Sequence, residues 1–294
     1  MTKLGFIGLG IMGGRIVKRL LAAGYQVAGY NRTPSKADWL VQAGMLLCTS
    51  PREVAEFADI TFSMVSDNDA LISVTDGASG VLAGLSPGKI YVDMSTVSPR
   101  LIRDLADHVT ARGAQMLEAS VSGSVPAAEG GTLVMFVGGE TETLERARPI
   151  FEVMSQKIVH MGSNGQGIAT KIAINMSLPI QLIALFEGVL LAERSGVPRE
   201  AALDALLNSV IASPAMKYRA PFIFKMPEEV WFSVAMMEKD IRLALELGEE
   251  GGVPLASAQL TLDMLTKARA MGYSEEDFAA LFKVVAQAAG MTDV

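Results

Sequence analysis

The chain has 294 residues, half of them hydrophobic, with 25 basic against 32 acidic side chains and a formal charge of −7. That length exceeds one typical core and suits two domains, while the acidic balance argues against a nucleic-acid surface and requires local cations wherever an anion is to be held. One cysteine, Cys48, excludes an internal disulfide and fits a reducing cytosol; the two histidines, His108 and His160, lack ligand-like spacing, so no metal is expected.

Leu4-Gly5-Phe6-Ile7 predicts a strand that begins almost at the N-terminus, which leaves no room for a secretory leader and makes a cytoplasmic location the expectation. Gly8-Leu9-Gly10-Ile11-Met12-Gly13 leaves that strand and enters a helical stripe of Ile16, Val17, Leu20 and Leu21. Glycines at this spacing are weak evidence alone. In this setting each has a physical role, since Gly8 allows a tight turn, Gly10 lets backbone approach a pyrophosphate, and Gly13 lets helix and strand pack closely. Free N–H groups at the helix start favour phosphate, so a dinucleotide is the expected ligand. The next strand, 25–30, ends in Asn31-Arg32-Thr33-Pro34-Ser35-Lys36. An NAD site usually places Asp or Glu here for the ribose 2′-hydroxyl. No carboxylate stands between residues 26 and 37, and Arg32 is suited to bidentate phosphate binding, with Thr33 and Ser35 as hydroxyl donors. NADP(H) is therefore preferred and NAD(H) remains possible; the bland reading makes Arg32 an ordinary solvated loop residue.

Strands are predicted at 60–65, 90–94, 115–121, 133–138 and 157–161, with a helix at 101–112. That alternation describes an α/β fold, a Rossmann doubly wound sheet with an antiparallel edge, over residues 1–163. After Gly162 the strands stop. Residues 166–195 read as one helix of about 30 residues, roughly 45 Å long, stopped by Gly196-Val197-Pro198. Its longest apolar stretch, 176–191, is interrupted by Ser177, Pro179, Gln181 and Glu187, so no membrane span is expected. Further helices at about 199–209, 235–250, 256–270 and 275–287 make 164–294 an all-helical domain, joined to the first by the long interdomain helix. The first turns of that helix are expected at the domain junction, near the nicotinamide end of a cofactor. Lys171 and Asn175 share a face there, at i and i+4, among Ile172, Ala173, Ile174 and Met176. Desolvation would lower the lysine pKa toward a general acid/base range; the alternative is a snorkelling lysine.

Taken together, these segments resemble the β-hydroxyacid dehydrogenase family. The matching stretches, in order, are the glycine turn, Asp93-Met94-Ser95-Thr96, Val121-Ser122-Gly123-Ser124 with Ala128-Glu129-Gly130-Gly131-Thr132-Leu133, Gly162 through Lys171-Ile172-Ala173-Ile174-Asn175, and Lys239-Asp240-Ile241-Arg242-Leu243-Ala244-Leu245. The resemblance implies that Lys171 is the catalytic proton donor and acceptor, and that Asn175 helps hold the substrate. It implies that Ser122, Gly123 and Ser124 bind the substrate carboxylate and that Phe232 is an aromatic wall of the pocket. Thr96 would lie beside the nicotinamide ribose, Met64 and Val65 (with Ser66) would border the cofactor, and Lys239 would stand at the cofactor and substrate mouth. Without the resemblance, Ser122 and Ser124 read as turn chemistry and Lys239 as a helix-face partner of Asp240 or Glu238.

Ser122-Gly123-Ser124 and Ile174-Asn175, where many relatives read Ser-Gly-Gly and two asparagines, are similar to the glyoxylate/succinic semialdehyde reductase branch, as is Asn31-Arg32-Thr33. Ser120 replaces a common proline. A small anionic aldehyde or hydroxyacid is the expected substrate, in a homodimer or homotetramer. Lys217 and Arg219 are the residues that could argue for a phosphorylated substrate instead, with a surface loop as their default setting. The alternatives are a 3-hydroxyisobutyrate or tartronate semialdehyde type dehydrogenase using NAD, an imine reductase, and a dinucleotide sensor without turnover. The last two would be expected to lack Lys171.

Overall fold

The structure is a computed structural model and describes residues 2–291. The strands of residues 3–162 are β1 (Lys3–Ile7), β2 (Gln26–Tyr30), β3 (Leu46–Leu47), β4 (Ile60–Ser63), β5 (Ile90–Asp93), β6 (Gln115–Ser122), β7 (Leu133–Gly139) and β8 (Ser155–Gly162). They form one sheet in the order β3-β2-β1-β4-β5-β6-β7-β8. Neighbours from β3 to β6 are parallel. β7 runs antiparallel to β6 and β8 parallel to β7, so the reversed edge is a pair of strands. Every residue of β4 and β5 is buried, as expected for central strands covered on both faces. The order reverses between β1 and β4, and the crevice beyond their C-terminal ends is where such sheets bind ligands.

The core of this unit packs Leu4 and Phe6 of β1 and Phe62 of β4 against Ile16, Val17 and Leu20 of helix Ile11–Ala22 and Phe151 of helix Thr141–Met154. Phe6 and Phe62 stack with centroids 5.8 Å apart.

The chain divides into two compact units between Lys171 and Ile172. The division falls beyond 163 for a physical reason: the start of helix Gln166–Arg194 packs on the sheet, where a Cβ on Gly167 would press to 2.8 Å from the Phe136 carbonyl of β7. The second unit contains the rest of that helix with Arg199–Leu207, Pro214–Arg219, Val234–Glu250, Ala256–Ala270 and Leu281–Ala288, and the 3₁₀ turns Ala220–Ile223 and Phe278–Ala280. By length and composition Gln166–Arg194 could cross a membrane. Its Leu182, Leu185, Phe186 and Val189 instead join Met237, Ile241, Leu265 and Phe282 in the core of the second unit, which is what an apolar helix does at the centre of a helical domain.

Candidate active site

Beyond β1 the chain turns at Gly8, whose N–H donates to the Tyr30 carbonyl at 3.0 Å. Gly8 has φ +92°, and any Cβ there would run into the Met64 carbonyl. A Cβ on Gly13 would likewise meet the Gly8 carbonyl, whereas one on Gly10 would meet nothing within 4 Å. Gly10 is the N-cap of helix Ile11–Ala22 and offers no side-chain cap. The helix therefore presents its first N–H groups and positive dipole end beside open, side-chain-free backbone, and this fits a pyrophosphate.

Asn31 shapes this turn. Its Oδ1 accepts from the Leu9 N–H at 3.1 Å and its Nδ2 donates to the Thr33 carbonyl at 2.8 Å, which ties the glycine loop to the segment after β2. Arg32 and Thr33 are exposed. A neighbouring cleft of about 470 Å³ is lined by Leu9, Gly10, Ile11, Arg15, Lys18, Lys36, Trp39 and Glu129. Three of those side chains are cationic, one of them, Arg15, balanced by Glu129 at 3.1 Å. Sequence reasoning passed over Arg15, Lys18 and Trp39; for Lys36 the signal lay within the Asn31–Lys36 string itself.

At the ends of β4 and β5 a buried polar network sets the next loop. Ser63 Oγ lies 2.6 Å from both Tyr91 Oη and Asp93 Oδ1. Asp93 receives the Ser95 N–H and hydroxyl at 3.1 and 2.8 Å, and Ser95 Oγ accepts from the Val65 N–H at 3.0 Å. Burial, reinforced by Asp93, pushes the Tyr91 hydroxyl well above its ordinary range, so it remains a neutral hydrogen-bonding group. The network fixes Met64-Val65 and the segment leading to half-buried Thr96.

β6 delivers Ser122, Gly123 and Ser124. Gly123 has φ +128°, and a Cβ would press on Ala127 at 2.8 Å and Leu133 at 2.9 Å, so this turn admits only glycine. Ser124 stands at the N-cap of helix Val125–Gly130 without using its side chain as a cap. Gly123 is exposed and the two serines are half-buried, so this turn carries both hydroxyl and N–H donors. Lys171, half-buried on helix Gln166–Arg194, closes the first unit.

In the second unit Asn175 is 3% exposed and its Nδ2 donates to Asp240 Oδ2 at 2.6 Å. A carboxylate can only accept from the amide nitrogen, so this contact fixes the amide orientation. It leaves Asn175 Oδ1 buried with no hydrogen-bond partner among the described residues. Asp240, fully buried, also holds Lys239 Nζ at 2.8 Å, whereas Glu238 pairs with Arg242 and Arg269. Half-buried Phe232 is held through its backbone: its N–H donates to Asp277 Oδ2 at 3.2 Å and its carbonyl accepts from the Phe278 N–H at 3.0 Å. Arg219 is a correction to the surface-loop expectation. It is 4% exposed, ion-paired with Asp277, and stacked 4.0 Å over the Phe278 ring, so it is committed to the fold. Among the described residues no group of His, Cys, Asp and Glu side chains is placed to hold a metal ion.

An uncapped helix start where strand order reverses is the ligand crevice of doubly wound sheets, dinucleotide-binding folds among them, and likeness to known proteins assigns the class. Residues 3–162 match the NAD-binding domain of 6-phosphogluconate dehydrogenase, and 165–285 the NAD-binding domain of NADP-dependent 3-hydroxyisobutyrate dehydrogenase. Glyoxylate/succinic semialdehyde reductase 1 of Arabidopsis thaliana is 35% identical over 96% of this chain and 98% of its own length. The cytokine-like nuclear factor N-PAC of Gallus gallus is 34% identical over 96% of this chain, which spans 51% of that protein. The structure of Mycobacterium tuberculosis 3-hydroxyisobutyrate dehydrogenase with L-serine superposes with a TM-score of 0.86 at 30% identity, covering 97% of this chain and 99% of that one. The chain belongs to the β-hydroxyacid dehydrogenase family, as its motifs implied. It is an NAD(P)-dependent hydroxyacid dehydrogenase or reductase.

Proposed function

We propose that the protein is an NADPH-dependent reductase of small aldehyde acids of the glyoxylate or succinic semialdehyde type, able in reverse to oxidise the matching hydroxyacid. The observation that carries this reading is the full-length likeness to the Arabidopsis thaliana reductase, together with the absence of a carboxylate after β2. The cofactor, when bound, supplies the hydride. The chain's own residues bind, orient and protonate. Gly8, Leu9, Gly10, Ile11, Met12 and Gly13 form the pyrophosphate turn, and Arg32 and Thr33, with Lys36, hold the 2′-phosphate in a loop shaped by Asn31. Met64, Val65 and Thr96 border the nicotinamide half, and Lys239 stands at its mouth.

Ser122, Gly123 and Ser124 hold the substrate carboxylate through hydroxyl and N–H donors, which fixes the carbonyl in an attack geometry. Lys171 donates a proton to the carbonyl oxygen, and its ammonium stabilises the negative charge that develops there. Asn175 helps hold the substrate, its Oδ1 accepting from the hydroxyl of the matching hydroxyacid, and Phe232 gives an apolar wall. Exposed apolar side chains on the second unit, among them Leu191, Val210, Ile211 and Leu260, support a homodimer or homotetramer.

The test follows the reduced-nicotinamide absorbance with NADPH or NADH and a panel of short aldehyde acids. Turnover with NADPH is expected, and Lys171→Ala should lose about 10²–10⁴-fold in kcat while NADPH binding persists. Unchanged turnover in the variant overturns the role of Lys171. Tight NADPH binding without turnover on any panel member leaves two readings, a substrate outside the panel or a sensor.

A further inference from the structure

Glu118 has no place in the chemistry above, yet its setting is built with care. It lies on β6, is 1% exposed, and shares a strand face with Ser122, four residues along. Its register partners are Asp93 on β5 and Gly138 on β7. Oε1 accepts from the Gly165 N–H at 2.8 Å and the Gly167 N–H at 2.7 Å, at the start of helix Gln166–Arg194, while Oε2 is buried with no hydrogen-bond partner among the described residues. Gly165 stands just before this helix and has no side chain to cap it. Glu118 caps it instead, from another strand. Glycines keep its niche open: a Cβ on Gly138 would collide with Glu118 Oε1, and one on Gly167 would press it to 3.1 Å. Lys171 follows Gly167 by four residues, about one helical turn.

We propose that Glu118 is a positioning residue that locks the helix bearing Lys171 to the strand bearing Ser122, and that its ionisation tightens this lock. The carboxylate accepts both N–H groups with charge-assisted strength, whereas the neutral acid accepts them more weakly. Burial is the main reason that the Glu118 carboxyl is pushed up to about 7, with the Asp93 charge adding to it and the backbone N–H bonds opposing it. Ionisation is therefore completed only as pH rises through about 7. The other titratable or charged groups nearby are Asp93, His160 on β8, whose ring bonds the Gly139 carbonyl at 2.7 Å, Arg103, whose side chain covers Gly165, and Lys171.

The experiment compares wild type with Glu118→Gln, Glu118→Ala and the control His160→Gln. Amide hydrogen exchange across 163–172, corrected for its intrinsic pH dependence, needs no substrate and so decides the lock even if the proposed reductase activity fails. Wild type and His160→Gln should gain at least threefold protection between pH 6 and 8. Glu118→Gln should be flat, and Glu118→Ala at least tenfold less protected with its overall fold retained. The kinetic arm rests on the reductase reading. There wild-type kcat should rise through pH 7, Glu118→Gln should lose that rise, and Glu118→Ala should lose at least tenfold in kcat with KM for NADPH within twofold. Wild-type protection in Glu118→Ala, or a pH response that survives in Glu118→Gln or vanishes in His160→Gln, overturns the proposal.

Discussion

Asn31 and Arg32 are adjacent but do different work. Arg32 is exposed on the loop after β2, and a cation there can meet a 2′-phosphate with both guanidinium arms. Asn31 has its carboxamide engaged on both sides, with the Leu9 N–H and the Thr33 carbonyl. Hydrogen bonds to charged groups contribute about 1.5–3 kcal/mol, so Arg32→Ser should raise KM for NADPH about tenfold to a hundredfold and leave KM for NADH nearly unchanged. Steady-state kinetics with both cofactors checks this; equal effects on the two would remove Arg32 from phosphate binding. Asn31→Asp is a poorer switch than it looks, because it replaces the donor facing the Thr33 carbonyl with a second acceptor. The contrast marks what was legible at this scale. Arg32 is a candidate that local charge alone brings forward, since a carboxylate is missing where one is usual. The bond of Asn31 to a residue 22 positions earlier has no local signature.

Helix Val234–Glu250 carries Lys239 and Asp240, and the path of the chain into it depends on a buried ion pair. Asp277 takes N–H groups from Phe232 and Ala279 and pairs with Arg219. Ser233, next along the chain, caps the helix by accepting from the Met236 N–H. Burial pushes the Asp277 carboxyl up although Arg219 and the backbone N–H groups pull it down. The pair is thus a costly positioning device, and removing one partner strands the other in an apolar site. Asp277→Ala should lose about 3–5 kcal/mol of stability, read as a lower urea midpoint. Arg219→Leu/Asp277→Ala, which removes both charges, should recover part of it; a wild-type midpoint in the single variant would refute the argument. The sequence could not announce this pair, because its members lie 58 residues apart and Arg219 sits in a six-residue helix, too short for a periodic signal. For the same reason β3, two residues long, went unforeseen, whereas the longer strands and the long helix follow from period and length. The Ser63, Tyr91, Asp93 and Ser95 network escaped too, although Asp93-Met94-Ser95-Thr96 was visible as a string.

Across the whole molecule, a charge of −7 opposes any anionic ligand, while Arg15, Lys18 and Lys36 line the cleft beside the glycine turn and Arg32 stands on the loop between. Distance decides which effect wins. The unfavourable field is summed over charges spread through the chain, so it weakens once the Debye length shrinks from about 30 Å at 0.01 M salt to about 10 Å at 0.1 M. Contacts of the proposed 2′-phosphate with these cations would lie within a few ångströms and would survive until the screening length approaches about 3 Å, near 1 M. NADPH affinity should therefore hold steady or improve up to about 0.1 M salt and then weaken several-fold toward 1 M. NADH lacks the 2′-phosphate and should show a much flatter curve over the upper range. Titration of nicotinamide fluorescence against salt reads both. Coincident curves for the two cofactors would mean that the cationic cleft does not meet the 2′-phosphate, and the basis for NADPH preference would have to be sought elsewhere.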